Sequence, residues 1–191
     1  MLKIGITGGI GSGKSLVSKI LRSMNFPVFD SDEEAKRILR QNPTVRKQLI
    51  QLFGKAVYTK EELNRPILAN IIFNDEVALM KINALIHPLV RQAFNEFAKI
   101  QKSNLIFNEA AILFESKGHE QLNKTILITA PKDLRIQRVM ERDNCSKQDV
   151  LIRMNKQWTD EQKRKLADFE IVNDEKSPLI EQVEEVLSQI E

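Results

Sequence analysis

Residues 3–15 read KIGITGGIGSGKS, and this stretch decides the fold. Its second part fits the pattern G-x-x-x-x-G-K-[ST], in which a glycine-rich turn follows a strand and opens a helix. The apolar run from Lys3 to Thr7 predicts the strand. Helical spacing after the turn predicts the helix, through Leu16, Val17, Ile20 and Leu21. Because both flanking elements are in place, a chance match to the pattern is disfavoured.

The glycine-rich turn at residues 8–15 predicts a binding site for nucleotide phosphates. Glycine lets the backbone curl until successive N–H groups converge on phosphate oxygens, and the positive end of the following helix adds to the attraction. Lys14 is expected to reach the β- and γ-phosphates, and the Ser15 hydroxyl to ligate Mg²⁺. A nucleoside triphosphate and Mg²⁺ are therefore the predicted ligands.

The motif alone does not identify the reaction, because kinases, GTPases and motor ATPases share it. A GTPase is disfavoured by a second sequence feature. GTPases normally read guanine with N-K-x-D, whereas Asn123-Lys124 is followed here by Thr125-Ile126 and the aspartate is missing.

Short runs rich in Ile, Val and Leu recur along the chain, and each precedes a helix-like segment. They lie at residues 3–7, 27–29, 104–108, 125–129 and 169–172. Strands that alternate with helices argue for a parallel sheet covered on both faces. The sequence therefore predicts an α/β fold of three layers with a five-stranded parallel sheet.

The second and third predicted strands are separated by about 70 residues, far more than an ordinary crossover needs. No strand is predicted between Asp32 and Lys102, only helical stretches. We interpret this segment as a helical insertion that shapes a substrate site. Helix starts are predicted where capping-box pairs occur, at Ser31 with Glu34, Thr59 with Glu62, and Thr159 with Gln162.

Carboxylates follow two of the predicted strands. Asp30 and Asp32 come after the second strand, at the edge where ligands collect in open α/β sheets. We predict Asp32 as the base that takes a proton from an attacking hydroxyl, and Asp30 as an aid to Mg²⁺. Glu109 follows the third predicted strand and is a candidate for the metal shell. An ordinary acidic helix start and a solvated glutamate are the alternatives.

Arg138 and Arg142 are four residues apart on one predicted helix, so they share a face. Guanidinium groups placed over a transferring phosphoryl group would stabilise its negative charge. We predict that they belong to a mobile lid. His87 precedes Pro88 in a helical pattern, and a packed or capping histidine is the alternative to a substrate contact.

The composition limits the partners and the location. The chain of 191 residues carries 29 basic and 26 acidic residues and a formal charge of +3, which is modest for a protein devoted to nucleic acid. Cys145 is the only cysteine, so no intramolecular disulfide is possible. No apolar run approaches the roughly 20 residues that a spanning helix needs. We expect a cytoplasmic monomer or weak oligomer that binds neither nucleic acid nor membrane.

Several short segments, taken in order, carry a resemblance to a known family: Thr7-Gly8-Gly9-Ile10-Gly11-Ser12-Gly13-Lys14-Ser15, Asp30-Ser31-Asp32, Ile86-His87-Pro88, Leu113-Phe114-Glu115, Gln137-Arg138 with Arg142, Arg153 with Gln157, and Ala167-Asp168 before Ile171-Val172-Asn173. Their order and spacing resemble those of the dephospho-CoA kinases over almost the whole chain. The chain departs from the family pattern at Leu16, where threonine is usual, and at Ala111, where proline is usual.

The resemblance implies a single P-loop kinase domain over residues 1–191, with a CoA-binding insertion at about 33–100 and a lid at about 138–165. It implies transfer of the γ-phosphoryl group of ATP to the ribose 3′-hydroxyl of dephospho-CoA, the last step of coenzyme A synthesis, with Mg²⁺.

The residue patterns and the resemblance together predict four groups of site residues. The catalytic group is Lys14, Asp32, Arg138 and Arg142. ATP is bound by Gly9, Gly11, Ser12, Gly13, Lys14, Ser15, Leu16 and Asn173. The substrate is bound by Asp32, His87 and Leu113, and the metal by Ser15, Asp30 and Glu109.

Two other functions stay open from the residues alone. One is a related kinase that acts on a nucleoside, a nucleotide or a small alcohol. The other is an NTP-dependent protein that binds nucleic acid through the basic stretch at residues 135–165, although acidic neighbours dilute that stretch.

Overall fold

The structure, a computed structural model, describes residues 1–60 and 62–190. The chain forms two compact units. The first, which we call the sheet unit, comprises Met1–Asp30 and the chain from Ile100 onward. The second, which we call the helical unit, comprises Ser31–Lys99.

The regular elements follow one another along the chain as β1 (Leu2–Thr7), α1 (Lys14–Ser23), β2 (Val28–Asp30), α2 (Ser31–Gln41), α3 (Pro43–Phe53), β3 (Tyr58–Thr59), β4 (Glu62–Leu63), α4 (Arg65–Asn74), α5 (Glu76–Lys99), β5 (Leu105–Glu109), β6 (Lys124–Thr129), α6 (Lys132–Asp143), α7 (Lys147–Met154), α8 (Asp160–Arg164), β7 (Phe169–Val172) and α9 (Leu179–Ile190). Short 3₁₀ turns lie at Lys55–Val57 and Gly118–Gln121.

The sheet unit contains a five-stranded sheet in the order β2-β5-β1-β6-β7, and every pairing in it is parallel. The predicted α/β class and the five predicted strands are confirmed, with bounds shifted by at most one residue at either end. The register places Glu109 of β5 opposite Ile6 of β1 and Asp30 of β2. The carboxyl ends of these three strands therefore meet at one edge of the sheet.

The core of the sheet unit is built from the apolar residues that made the strands predictable. Buried side chains of β1, β5, β6 and β7 pack with α1 and α9, among them Ile4, Ile6, Val17, Phe107, Ile128, Ile171 and Val183. Burying such a side chain contributes about 1.5–3 kcal/mol each. This packing holds β1 and α1, the two elements that flank the glycine-rich turn, against one core.

The helical unit consists mainly of α2 to α5. Its structure differs from the sequence predictions at two points. Tyr58 and Thr59 pair with Leu63 and Glu62 as a short antiparallel hairpin, where no strand was predicted. The predicted cap at Thr59 is wrong because that residue lies in this hairpin; Asn64 caps α4 instead, its Oδ1 accepting from a first-turn N–H. Two-residue strands have no periodicity to read from sequence.

Side chains cap α3, α7 and α8, whereas α1 and α6 have no side-chain cap. The capping box of Thr159 with Gln162 at the start of α8 is confirmed. Ser146 and Asp149 form a second capping box at α7. Ser31 is the first residue of α2, and the Glu34 carboxylate accepts a hydrogen bond from Arg37 at 2.8 Å. Within the described ranges, no helix is both long enough and apolar enough to cross a membrane.

Candidate nucleotide-binding site

The glycine-rich turn connects the end of β1 to Lys14, the first residue of α1. Gly13 forms the N-cap of α1 with φ of 98°, in the left-handed region that favours glycine. A Cβ on Gly13 would collide with the side-chain nitrogen of Asn173, and a Cβ on Gly11 would collide with the backbone of Arg135. Both positions therefore need glycine for two reasons: neighbouring residues leave no room for a Cβ, and φ is positive.

The first turn of α1 presents the groups that an anion needs. Gly13 has no side chain with which to cap the helix, so the first amides of α1 have no side-chain cap. The Lys14 ammonium donates to the carbonyl oxygen of Gly8 at 2.8 Å, which folds this side chain back along the turn. The positive helix end and the lysine therefore act on the same small region.

The residues predicted to hold a metal lie next to this turn. Ser15 Oγ donates to Glu109 Oε1 at 3.1 Å, and Glu109 is only 5% exposed. Asp30 is its register neighbour on β2. Hydroxyl and carboxylate oxygens are the donors that suit Mg²⁺. Over residues 1–60 and 62–190, no group of three or more His, Cys, Asp or Glu side chains is arranged to hold a metal by itself.

Asn173 and Arg138 close the other side of the turn. Asn173 follows β7, is 7% exposed, and donates from Nδ2 to the carbonyl oxygen of Ser12 at 3.0 Å. Arg138 on α6 donates to the Asn173 carbonyl oxygen at 3.2 Å and pairs with Glu175 at 2.9 Å. The structure thus brings two predicted residues from the C-terminal half of the chain to the phosphate loop.

Two predicted site residues lie in the helical unit. Asp32 is half-buried in the first turn of α2, beside Glu33 and two residues after the end of β2. His87 is half-buried near the middle of α5. Burial lowers the pKa of His87 below its ordinary value, and the charge of Arg91 lowers it further. His87 is therefore neutral at pH 7, and its substrate role, like that of Asp32, stays a prediction.

The model of the family "CoaE: Dephospho-CoA kinase" matches residues 2–178. A dephospho-CoA kinase of Bacteroides fragilis (strain YCH46) is 39% identical over 188 residues, which cover 98% of this chain and 92% of that relative. The chain belongs to the dephospho-CoA kinase family.

Solved structures agree with this membership of the dephospho-CoA kinase family. A dephospho-CoA kinase from Campylobacter jejuni aligns with a TM-score of 0.71 at 31% identity, over 98% of this chain and 96% of that one. A crystal structure from Thermus thermophilus aligns with a TM-score of 0.86 at 36% identity, over 99% of this chain and 95% of that one. The predicted P-loop kinase fold is confirmed.

Arg142 differs from Arg138 in its surroundings. Its side chain is 61% exposed and pairs with Asp143 at 2.7 Å, and Arg153 pairs with the same carboxylate at 2.7 Å. The hydrogen bond from Arg142, supported by Arg153, holds the pKa of Asp143 at about 2. Arg142 thus pairs with Asp143, whereas Arg138 contacts Asn173 and Glu175 beside the phosphate loop.

Leu16 and Leu113 are two further predicted residues of the sheet unit. Leu16 is 48% exposed on α1. Leu113 is 1% exposed and packs over Gly5, so its side chain serves the core. At Ala111, where the dephospho-CoA kinase family usually has proline, the carbonyl oxygen accepts a hydrogen bond from Lys163 at 3.1 Å.

Sequence reasoning missed two residues that contact the phosphate loop directly. Gln157 accepts a hydrogen bond from the Ile10 N–H at 2.8 Å, and Arg135 donates to the Ile10 carbonyl oxygen at 2.9 Å. Gln157 had a signal, as part of the ordered segments shared with the dephospho-CoA kinase family. Arg135 had none, because it is one of many basic residues in the stretch at 135–165.

Proposed function

We propose that this chain transfers the γ-phosphoryl group of ATP to the 3′-hydroxyl of dephospho-CoA, which gives CoA and ADP. The observation that supports this best is the phosphate loop with Lys14 and Ser15 at the start of α1, in a chain that matches the dephospho-CoA kinase family over residues 2–178. The reaction would complete coenzyme A synthesis in the cytoplasm. We propose a monomer or weak oligomer that acts on small molecules.

The proposed reaction exchanges one phosphorus–oxygen bond for another. The acceptor hydroxyl oxygen bonds to the γ-phosphorus, the bond from that phosphorus to the bridging oxygen breaks, and ADP leaves. Asp32 takes the hydroxyl proton as the general base. His87, neutral because its pKa is lowered by burial, is suited to hydrogen bonding with an uncharged polar group of the substrate.

The charge that moves onto ADP needs positive groups around it. The Lys14 ammonium, now on the Gly8 carbonyl oxygen, would exchange that partner for phosphate oxygens. Arg138 would do the same with its partner Glu175. Arg142, in the last turn of α6 and in the predicted lid, is proposed to join them. Once they contact the phosphates, these cations would stabilise the negative charge of the transition state. Positioning and electrostatic stabilisation of this kind are the main source of catalysis in phosphoryl transfer.

A divalent cation fits the oxygen donors beside the loop. Ser15 and Glu109 lie within hydrogen-bond distance of each other, and Asp30 is in register with Glu109. We propose that these residues hold Mg²⁺ together with the nucleotide phosphates. Mg²⁺, when bound, neutralises charge on the β- and γ-phosphate oxygens.

A nucleic-acid function is not proposed, because the basic stretch at residues 135–165 is largely neutralised by its neighbours. The ion pairs are Arg135 with Asp160, Arg138 with Glu175, Arg142 and Arg153 with Asp143, Lys163 with Glu115, and Arg164 with Glu170. Binding to phosphates of a nucleic acid would have to compete with these carboxylates.

The test is acceptor-dependent release of ADP from Mg·ATP. We expect rapid ADP formation with dephospho-CoA, a product identical to CoA by mass and chromatography, and background rates with adenosine, AMP or a 3′-deoxy analogue of dephospho-CoA. Lys14→Ala serves as the inactive control. ADP release that is independent of acceptor, or equal turnover of simple nucleosides, would favour a different kinase or an NTPase instead.

A further inference from the structure

Ile10 lies inside the phosphate loop, and side chains from far along the sequence hold both of its peptide groups. Its N–H donates to Gln157 Oε1 at 2.8 Å, across 147 residues. Its carbonyl oxygen accepts from Arg135 Nε at 2.9 Å, across 125 residues. Neither peptide group can rotate without breaking one of these hydrogen bonds.

Arg135 is itself fixed in place. It is 7% exposed, and its Nη1 pairs with Asp160 Oδ2 at 2.9 Å. Its Nη2 lies so close to Gly9 that a Cβ on that glycine would collide with it. The planar guanidinium links Ile10 of the loop to Asp160 of α8 through two different nitrogens held in a fixed geometry.

Gln157 is fixed through its neighbour in the chain. The Trp158 N–H donates to Glu115 Oε1 at 3.0 Å, and the same carboxylate oxygen pairs with the Lys163 ammonium at 3.0 Å. The Lys163 side chain is 0% exposed and also donates to the Ala111 carbonyl oxygen. The backbone around residue 157 is therefore anchored to the segment that follows β5.

Ile10 lies in the first tight turn of the phosphate loop. The Ser12 N–H donates to the Gly9 carbonyl oxygen at 3.1 Å, which closes a turn around Ile10 and Gly11. The amides from Gly11 onward are the ones that a phosphate-binding loop turns toward its ligand. A loop that is already ordered loses less conformational freedom when the phosphates arrive.

We propose that Gln157 and Arg135 are positioning residues of the phosphate loop. By holding the two peptide groups of Ile10, they keep the loop in its phosphate-accepting form before the nucleotide binds, and they do so without touching the phosphates themselves. The proposal rests on the proposed function in one respect, namely that the loop binds ATP.

The test compares nucleotides that differ only in their phosphates. Gln157→Leu keeps the size of the side chain and removes the acceptor for the Ile10 N–H. We expect calorimetry to show ATP and ADP binding weakened about tenfold, the scale of one lost hydrogen bond, with AMP binding unchanged within about twofold. Gln189→Leu, the same chemical change at an exposed position of α9, is the matched control and should leave all three affinities unchanged.

A second variant tests whether the two residues act on one target. Arg135→Lys retains the charge but removes the fixed guanidinium geometry in which Nε donates to Ile10 and Nη1 to Asp160. We expect it to weaken ATP and ADP binding as well, and the double variant with Gln157→Leu to show less than the product of the two fold-changes, because both act through Ile10.

Three results would overturn the proposal: equal weakening of ATP, ADP and AMP, unchanged affinities in Gln157→Leu, or a loss explained entirely by a smaller folded fraction. Failure of the proposed function looks different. In that case the unaltered protein would bind ATP yet leave dephospho-CoA unphosphorylated, and the comparison of nucleotide affinities would still be readable.

Discussion

The side-chain nitrogen of Asn173 donates to the carbonyl oxygen of Ser12 at 3.0 Å, although the two residues are 161 positions apart. The backbone N–H of Asn173 donates to the Thr129 carbonyl oxygen at 2.8 Å and so extends the pairing of β7 with β6. The edge of the sheet and the phosphate loop are thereby joined through one buried amide.

Asn173→Asp should destabilise the protein and weaken ATP binding. The isosteric change replaces the donor with a carboxylate oxygen that faces the Ser12 carbonyl oxygen, and removal of one partner of a buried hydrogen bond costs about 1–3 kcal/mol. Urea unfolding and ATP calorimetry measure the two effects. Asn104→Asp, at an exposed position in the bend before β5, is the control and should change neither quantity appreciably. A fully stable Asn173→Asp would contradict the inferred importance of this contact.

Gly13→Ala should abolish ATP binding, whereas Gly54→Ala should only lower stability. Both glycines have positive φ, 98° and 85°, so both variants carry backbone strain, of about 1–3 kcal/mol each. Only at Gly13 would the new Cβ also meet another side chain, that of Asn173, while the space around Gly54 is open. Thermal unfolding measures the backbone strain that both variants share, and ATP titration measures the loss of binding expected at Gly13 alone. Equal behaviour of the two variants would mean that backbone strain alone explains the glycine requirement.

Asp32→Asn should lower kcat by about 10² or more and leave ATP binding intact, because the amide cannot accept the hydroxyl proton. Glu33→Gln is the matched control in the same turn, where that carboxylate pairs with Lys36 on the helix surface. Steady-state kinetics with Mg·ATP and dephospho-CoA, together with ATP calorimetry, measure both variants. A near-normal kcat for Asp32→Asn would remove Asp32 from the role of base.

His87 should make the protein less stable as the pH falls. Its pKa in the folded chain is lowered, chiefly by burial, from the ordinary value of 6.5. Above that value the imidazole is neutral in both states; below it the unfolded chain binds the proton more readily, so stability declines. Denaturant unfolding between about pH 7 and 5 should show a smaller decline in His87→Gln than in the unaltered chain. His119→Gln is the control and should keep the part of the decline in stability that His87 causes. An unchanged dependence of stability on pH in His87→Gln would contradict the prediction.

The sheet and the phosphate loop could be predicted because their signals are local. The apolar run of β1, the glycines and the amphipathic α1 are contiguous, so neighbouring residues specify the strand, the turn and the helix. The hairpin at Tyr58–Thr59 and Glu62–Leu63 could not be predicted, since two residues a strand leave no alternation to detect. Capping chemistry was informative at Thr159 and misleading at Thr59, because a capping pair is compatible with other local structures.

The sequence by itself determined that this chain builds a phosphate loop between a strand and a helix, because backbone conformation there depends on adjacent residues and their glycines. Only the tertiary structure decided which distant side chains support that loop. Arg135, Gln157 and Asn173 reach it because β6 lies beside β1 and β7 lies beside β6 in the parallel sheet, which brings the segments after those strands to the same edge. Such contacts depend on how the strands are ordered in space, and no local pattern of residues encodes that order.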